Sequence, residues 1–418
     1  MKEKWIEDFS GKDNSCFDIK PEIAYHACLQ KGSLPPGSGI SPKKSALFFG
    51  LKKKNFLAWL ETEECVYTDQ LVEAHFGLDS SGGYCAAGLM FRMDKQGSYY
   101  LALVSSKGYF RLDAVNNNVS RSLTGWIEAP VNAENIRLGI IARADHLIFT
   151  LDGKWTAEIY DHTIPGGSLG FALASYCDSE PGEIEDTIMK DGYTCSAWLY
   201  SLSLDSSAQA VETEYQKWSS GAEISLKSRM LLAGNLAALG RPGAAYEQIL
   251  RAWEHRKEAA RSVTATYSEM RTKDELLFAA QITLALGEFE TAEKYIDLCL
   301  EMCTTNGKSA AVETAALAEK AKILCSAGKF GDLAAFLPGY IAKTKAAGEC
   351  TELPAQYALL GYAHQKLLNY RESAVAWDKA LSLDKKNCLY AANAAKARKQ
   401  SGRTKKPAAK KQAAETAQ

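Results

Sequence analysis

Hydrophobic residues recur along this chain at two periods, and the change between them divides it. From about Phe17 to Leu204 every second residue tends to be apolar. Leu89, Phe91 and Met93 form one such run, Tyr99, Leu101 and Leu103 the next, and Phe110 and Leu112 another. Ile136, Leu138 and Ile140 follow, then Leu147, Phe149 and Leu151, then Leu169, Phe171 and Leu173, and finally Trp198, Tyr200, Leu202 and Leu204. Alternation of this kind marks strands with one face inward. Asp94-Lys95-Gln96-Gly97, Ser106-Lys107-Gly108 and Asp152-Gly153 stand between the runs and supply left-handed or tight-turn positions for hairpins. Short strands with such turns predict an antiparallel sandwich.

From about Glu223 to Lys399 the spacing becomes three and four, the period of helices. A phrase also returns: Ala237–Trp253, Leu284–Leu300, Cys325–Ile341 and Leu367–Asp384 each place a Gly or Asn turn before Ala and bulky apolar positions. Repetition at this scale predicts stacked helical hairpins, none able to bury its apolar face alone. The expected organisation is a β-sandwich over 1–205, a linker with a short helix over 206–222, helical repeats over 223–400 and a disordered basic tail over 401–418.

Composition narrows the function classes. A chain of 418 residues is too long for one ordinary core. Its formal net charge of -1 gives no global signal for polyanions. Cations gather only near the end, at Lys396, Arg398, Lys399, Arg403, Lys405, Lys406, Lys410 and Lys411, without the aromatics that stack on bases, so nucleic acid is not the expected partner. The first twenty residues lack an apolar export segment and no run approaches the length of a membrane span, which predicts a cytoplasmic protein. The eleven cysteines form no CxxC pair and are read as reduced thiols; no metal or cofactor set is expected.

The order of strands resembles the concanavalin A-like lectin/glucanase jelly roll, with laminin-G-like members nearest. The resemblance rests on Gly88, Phe91, Arg92, Tyr99, Tyr100, Gly108, Tyr109, Arg111 and Leu112, continued by Asn135, Arg137, Leu138, Ala142, Arg143, Leu147, Asp152 and Gly153, and by Asp161, Thr163, Gly166, Gly167, Gly170 and Phe171. The helical half resembles tetratricopeptide repeats. Its last copy matches best, through Tyr357, Leu360, Gly361, Tyr370, Trp377 and Ala380. The copies lie farther apart than the family's unit of about 34 residues.

These resemblances imply sites. The groove positions of a tetratricopeptide stack map to Lys227, Gln281, Lys322, Tyr362 and Gln365, which would hold an extended peptide or partner helix. Asn235 stands where a carboxylate clamp has its Asn, but Leu231 replaces the clamp's Lys. On the sandwich, if Phe91, Leu101 and Leu112 point between the sheets, alternation puts Arg92, Tyr100 and Arg111 on the opposite, exposed face. There Arg and Tyr suit a sugar. Jelly-roll glucanases need acids flanking one glycosidic bond. Glu183, Glu185 and Asp186, with Thr187 where a third acid belongs, and the cluster Glu61, Glu63 and Glu64 read instead as solvated acids. No nucleophile elbow, phosphate loop or histidine metal motif appears. The expectation is a non-catalytic scaffold that binds a protein or peptide through its repeats, with the sandwich as a second recognition module. A carbohydrate-binding sandwich is the alternative and a glycoside hydrolase the third reading.

Overall fold

The computed structural model describes residues 3–10, 16–17, 19, 22–31, 45–62, 66–79, 84–176, 188–189, 192–219, 224–260, 271–305, 310–348 and 351–403. The Gly32–Lys44 loop, Glu63, Glu64, the acids at 183–186 and the tail beyond 403 lie outside the described residues. Contacts divide the chain into two compact units, Met1–Ala259 and Ala260–Gln418. The division falls after the first helical hairpin, not at the end of the strands.

The first unit opens with β1 (Lys4–Glu7), β2 (Tyr25–Lys31), β3 (Ser45–Leu51), β4 (Phe56–Glu61) and β5 (Gln70–Asp79). The central strands are β6 (Tyr84–Met93), β7 (Tyr99–Ser105), β8 (Tyr109–Asn116), β9 (Val119–Ser122) and β10 (Ile127–Glu128). They are followed by β11 (Ile136–Arg143), β12 (His146–Leu151), β13 (Lys154–Tyr160), β14 (Ser168–Tyr176) and β15 (Cys195–Asp205). One sheet runs β13-β12-β11-β5-β15-β3-β2, with β1 also paired to β15; the other runs β10-β8-β7-β6-β14-β4, with β9 on β8. All the pairings are antiparallel.

Aromatic rings lock the sheets face to face. Phe171 of β14 meets Phe49 and Phe76 at centroid distances of 6.4 and 5.6 Å, and Phe149 of β12 meets Phe91 and Phe110 at 6.1 and 5.2 Å. Rings at these separations add attraction beyond the area they bury.

Three helices complete this unit: α1 (Ala208–Ser219), α2 (Leu226–Ala238) and α3 (Pro242–Ala260). α1 packs on β5 and β11, and α2 on β13 and β10. A buried ionic cluster ties them down. Glu158 of β13 is 1% exposed, and its Oε1 accepts from Arg229 Nη1 at 3.0 Å, Gln248 Nε2 at 3.1 Å and Arg251 Nη1 at 2.5 Å. Arg229, 2% exposed, also gives Nη1 to Gln248 Oε1 at 2.6 Å and lies over the Trp155 ring. Burial pushes the Glu158 carboxyl up, but Arg229 and Arg251 outweigh it and hold the group below its ordinary range. On the other side His146 stacks on Tyr160 at 4.0 Å, and its Nδ1 lies 3.0 Å from the Tyr215 hydroxyl of α1.

The second unit is helical: α4 (Lys273–Ala285), α5 (Phe289–Thr305), α6 (Ala310–Ser326), α7 (Phe330–Ala346), α8 (Leu353–Lys366), α9 (Tyr370–Leu383) and α10 (Cys388–Arg403). Each helix packs on the next, and α4 also touches α6, as hairpins in a row require. The start of α4 is fixed by a capping box between Thr272 and Glu275, which satisfies two orphan amides. The turn inside each hairpin uses one left-handed residue: Gly287 (φ 78), Gly328 (φ 70) and Leu368 (φ 64). The last is costly, because a Cβ crowds the carbonyl in that conformation. Trp377 of α9 sits so close to α8 that a Cβ on Gly361 would meet its ring at 2.8 Å.

Candidate functional sites

On the sandwich, the outer face of the β6-containing sheet carries a cleft of about 460 Å³. Its floor is apolar: Leu101, Leu103 and Ala174 line it, and Ala86, Met90 and Ala172 pack with them in one buried cluster. Aromatic pairs border it. Trp59, 41% exposed, lies 6.3 Å from Tyr99, and Trp126 meets Tyr176 edge-on at 5.9 Å. Arg111 lies over Trp126 at 5.6 Å and gives Nε to both oxygens of Asp113 at 2.8 and 2.9 Å. Asn118, Ser120 and Ser175 add hydroxyl and amide groups to the lining. Burial pushes the Tyr176 phenol up to about 12, so it stays a neutral donor at ordinary pH.

Of the three residues expected to share this face, only Arg111 is on it. Tyr100 is fully buried; it pairs with Phe91, stacks on it at 5.3 Å between the sheets, and its hydroxyl donates to Asp161 Oδ1 at 2.7 Å. Burial and the Asp161 carboxylate both raise its pKa. Arg92 is 1% exposed, with φ 52, where the pairing of β6 with β14 shifts register. There it donates Nε to Thr68 O at 3.0 Å, Nη1 to Ile164 O at 3.2 Å and Nη2 to Ala144 O at 2.7 Å. Its guanidinium clamps three loops from inside. The expectation failed for two reasons: the irregularity at Arg92 turns its side chain inward, and regular pairing of β6 with β7 sets Tyr100 opposite the inward Phe91 and Leu101 opposite the outward Met90.

The repeats present a second site. Gln281, Lys322 and Tyr362 occupy one register on α4, α6 and α8, in the contexts Ala280-Gln281-Ile282, Ala321-Lys322-Ile323 and Gly361-Tyr362-Ala363. Each is exposed between buried neighbours. Lys322 Nζ lies 3.0 Å from Glu319 Oε2, a carboxylate only 4% exposed. Tyr362 meets Phe330 edge-on at 5.8 Å. Gln365, half-buried, follows one turn later on α8. Lys227 is exposed on α2 and belongs to the unit of the sandwich; the register shared by the other three falls in α2 on Gly234. Asn235 is already engaged, since its Nδ2 donates to Trp126 O at 2.8 Å. Lys396 of α10, grouped above with the cations near the end of the chain, extends the row: it is exposed, with exposed Ala395 before it and buried Ala397 after it.

Among the described residues no group of three His, Cys, Asp or Glu could hold a metal ion, and no helix is long and apolar enough to cross a membrane.

The fold is thus an antiparallel two-sheet β-sandwich followed by a row of helical hairpins, as the resemblances in sequence implied. No protein-family profile matches the chain. Over 164 residues, 39% of this chain, it is 33% identical to a TPR repeat-containing protein of Treponema pallidum (strain Nichols), and spans about a fifth (19%) of that relative's length. Among solved structures, a carbohydrate-binding module, CBM66, from Bacillus subtilis aligns at 16% identity and TM-score 0.30, over 38% of this chain and 86% of that one. The C-terminal part of a TPR repeat-containing protein from Cytophaga hutchinsonii aligns at 13% identity and TM-score 0.35, over 47% and 67% respectively.

Proposed function

We propose that this chain is a non-catalytic scaffold whose helical repeats hold a protein or peptide partner, with the sandwich as a second recognition module. The observation that carries it is the row of exposed polar side chains at one register of successive first helices, set among Ala and Gly that keep the surface around them low. The relative from Treponema pallidum, a TPR repeat-containing protein, agrees with this reading. Affinity capture with the full chain tests it. Partners recovered by the native protein should be lost on combining Lys322→Glu with Tyr362→Ala; partners that survive both changes would remove the row from consideration.

A second reading concerns the sandwich. The aromatic borders Trp59/Tyr99 and Trp126/Tyr176, with Arg111 and Asp113 between them, favour a saccharide stacked by its apolar face and bonded at its hydroxyls. Hydrolysis would need two carboxylates roughly 5–9 Å apart. Among the described residues that line the cleft, Asp113 is the one acid, and it is engaged by Arg111. A glycan array probed with the full chain and with Trp126→Ala decides this reading; no signal on the array, or a signal indifferent to Trp126, would remove it.

A further inference from the structure

We infer that the row on the repeats selects an acidic peptide. The inference rests on the scaffold reading above and names the chemistry of its partner.

Taken along α4, α6, α8 and α10, the shared register reads Gln281, Lys322, Tyr362 and Lys396. Beside Tyr362, one turn on, stands Lys366. Its Nζ lies 5.3 Å over the Tyr362 ring and 5.8 Å over the Phe330 ring. Ring faces steady an ammonium without neutralising it, so its charge remains available to a ligand. Among the described residues no carboxylate lies within ion-pair distance of Lys366 or Lys396. Other lysines of the helical unit are matched, Lys320 with Asp297, Lys329 with Glu293 and Lys343 with Glu313. Lys399 of α10, exposed like Lys396, makes no ion pair with a described residue and adds to the same charge. Lys322 is shared, since its side chain is 65% exposed while its partner Glu319 is nearly buried. The row therefore gains positive charge from α6 to α10, with one aromatic platform in its middle.

Charge complementarity chooses the occupant. Tyr362 is the single ring at this register, which is too few for a run of stacked bases and suits one apolar side chain among acids. The chain's own continuation is unsuited: Arg403, Lys405, Lys406, Lys410 and Lys411 carry the same sign as the row. An extended peptide with several carboxylates, and an apolar residue for Tyr362, matches the row.

The test is selection from a random peptide display library on the full chain. The expected result is enrichment of net-negative peptides whose synthetic, fluorescently labelled forms bind at least tenfold more weakly to K366E/K396E. They should also weaken as salt is raised, and their Glu→Gln, Asp→Asn isosteres should bind at least tenfold more weakly to the native chain. The variant K366Q/K396Q, with its far-ultraviolet circular dichroism, separates lost charge from lost fold and should give an intermediate loss. Neutral or basic peptides that depend on Tyr362 would overturn the charge inference and leave the scaffold reading standing. Enriched peptides indifferent to Tyr362→Ala and to both lysine changes would overturn both, as would no enrichment. Displacement of the peptides by an oligothymidine of equal affinity would overturn the choice of a peptide.

Discussion

Replacing Arg229 by Met should loosen the first unit by about 3 kcal/mol, the lower end of the cost of breaking a buried ion pair. The magnitude follows from the geometry. Glu158 is 1% exposed, and of its three donors at Oε1 the change removes the most deeply buried cation. Arg251 remains 2.5 Å away but is itself 31% exposed, and Oε2 of Glu158 has no hydrogen-bond partner to take up the difference. Glu158→Gln should also destabilise, because it leaves Arg229 as a buried cation beside amides. The double variant removes both charges, so its cost should fall short of the sum by at least about 1.5 kcal/mol. The assay is equilibrium urea unfolding of the full chain followed by tryptophan fluorescence. Seven of the eight tryptophans, all but Trp377, lie within 1–259, so the signal reports mainly this unit. A loss of 3 kcal/mol corresponds to a Tm lower by roughly 6–12 °C for a body of this size. A cost below about 1 kcal/mol for Arg229→Met, or strict additivity in the double variant, would refute the claim that the cluster holds the hairpin to the strands.

His146, whose pKa burial lowers from 6.5 to about 4, must stay neutral in the folded state. Its folded value lies below its unfolded one, so stability should fall as pH drops from 6.5 toward 4, by up to about 3 kcal/mol, and His146→Phe should flatten that part of a pH–stability curve. A curve equally steep in both proteins would argue against it. Leu368→Gly, which relieves a left-handed leucine, should stabilise the helical unit by about 0.5–1 kcal/mol in thermal unfolding monitored at 222 nm. A loss of stability there would mean that the leucine side chain matters more than its backbone. Gly361→Ala should cost about 1–3 kcal/mol, because the new methyl meets the Trp377 ring and neither helix can easily withdraw; unchanged Trp377 fluorescence and stability would count against that packing.

The two periods were enough to place the strands and hairpins, since each reports a face that must be buried. They were not enough to assign faces within β7. The segment Tyr99–Ser105 is buried along nearly its whole length, so alternation has no preferred phase there, and Tyr100 could not be told from Leu101 by hydrophobicity. Arg92 misled for a related reason: an arginine in a strand suggests solvent, yet its three carbonyl acceptors come from segments remote in sequence. Glu158 offered a visible signal, a carboxylate between Ala157 and Ile159 in a strand buried over its middle five residues. Its cations, Arg229 and Arg251, lie on helices far along the chain, and no local pattern links them to it. Lys396 was overlooked although it falls within the expected repeats, because it was weighed with the neighbouring cations and not by its helical register.

Asn235 and Arg241 hold the carbonyls of Trp126 and Leu123, while Glu158 receives two arginines from the same hairpin. A gene fragment ending at codon 205 would therefore encode a sheet edge with a stranded carboxylate and a tryptophan without its brace. The smallest piece on this side that keeps these partners together is the strands with α1 and the α2–α3 hairpin.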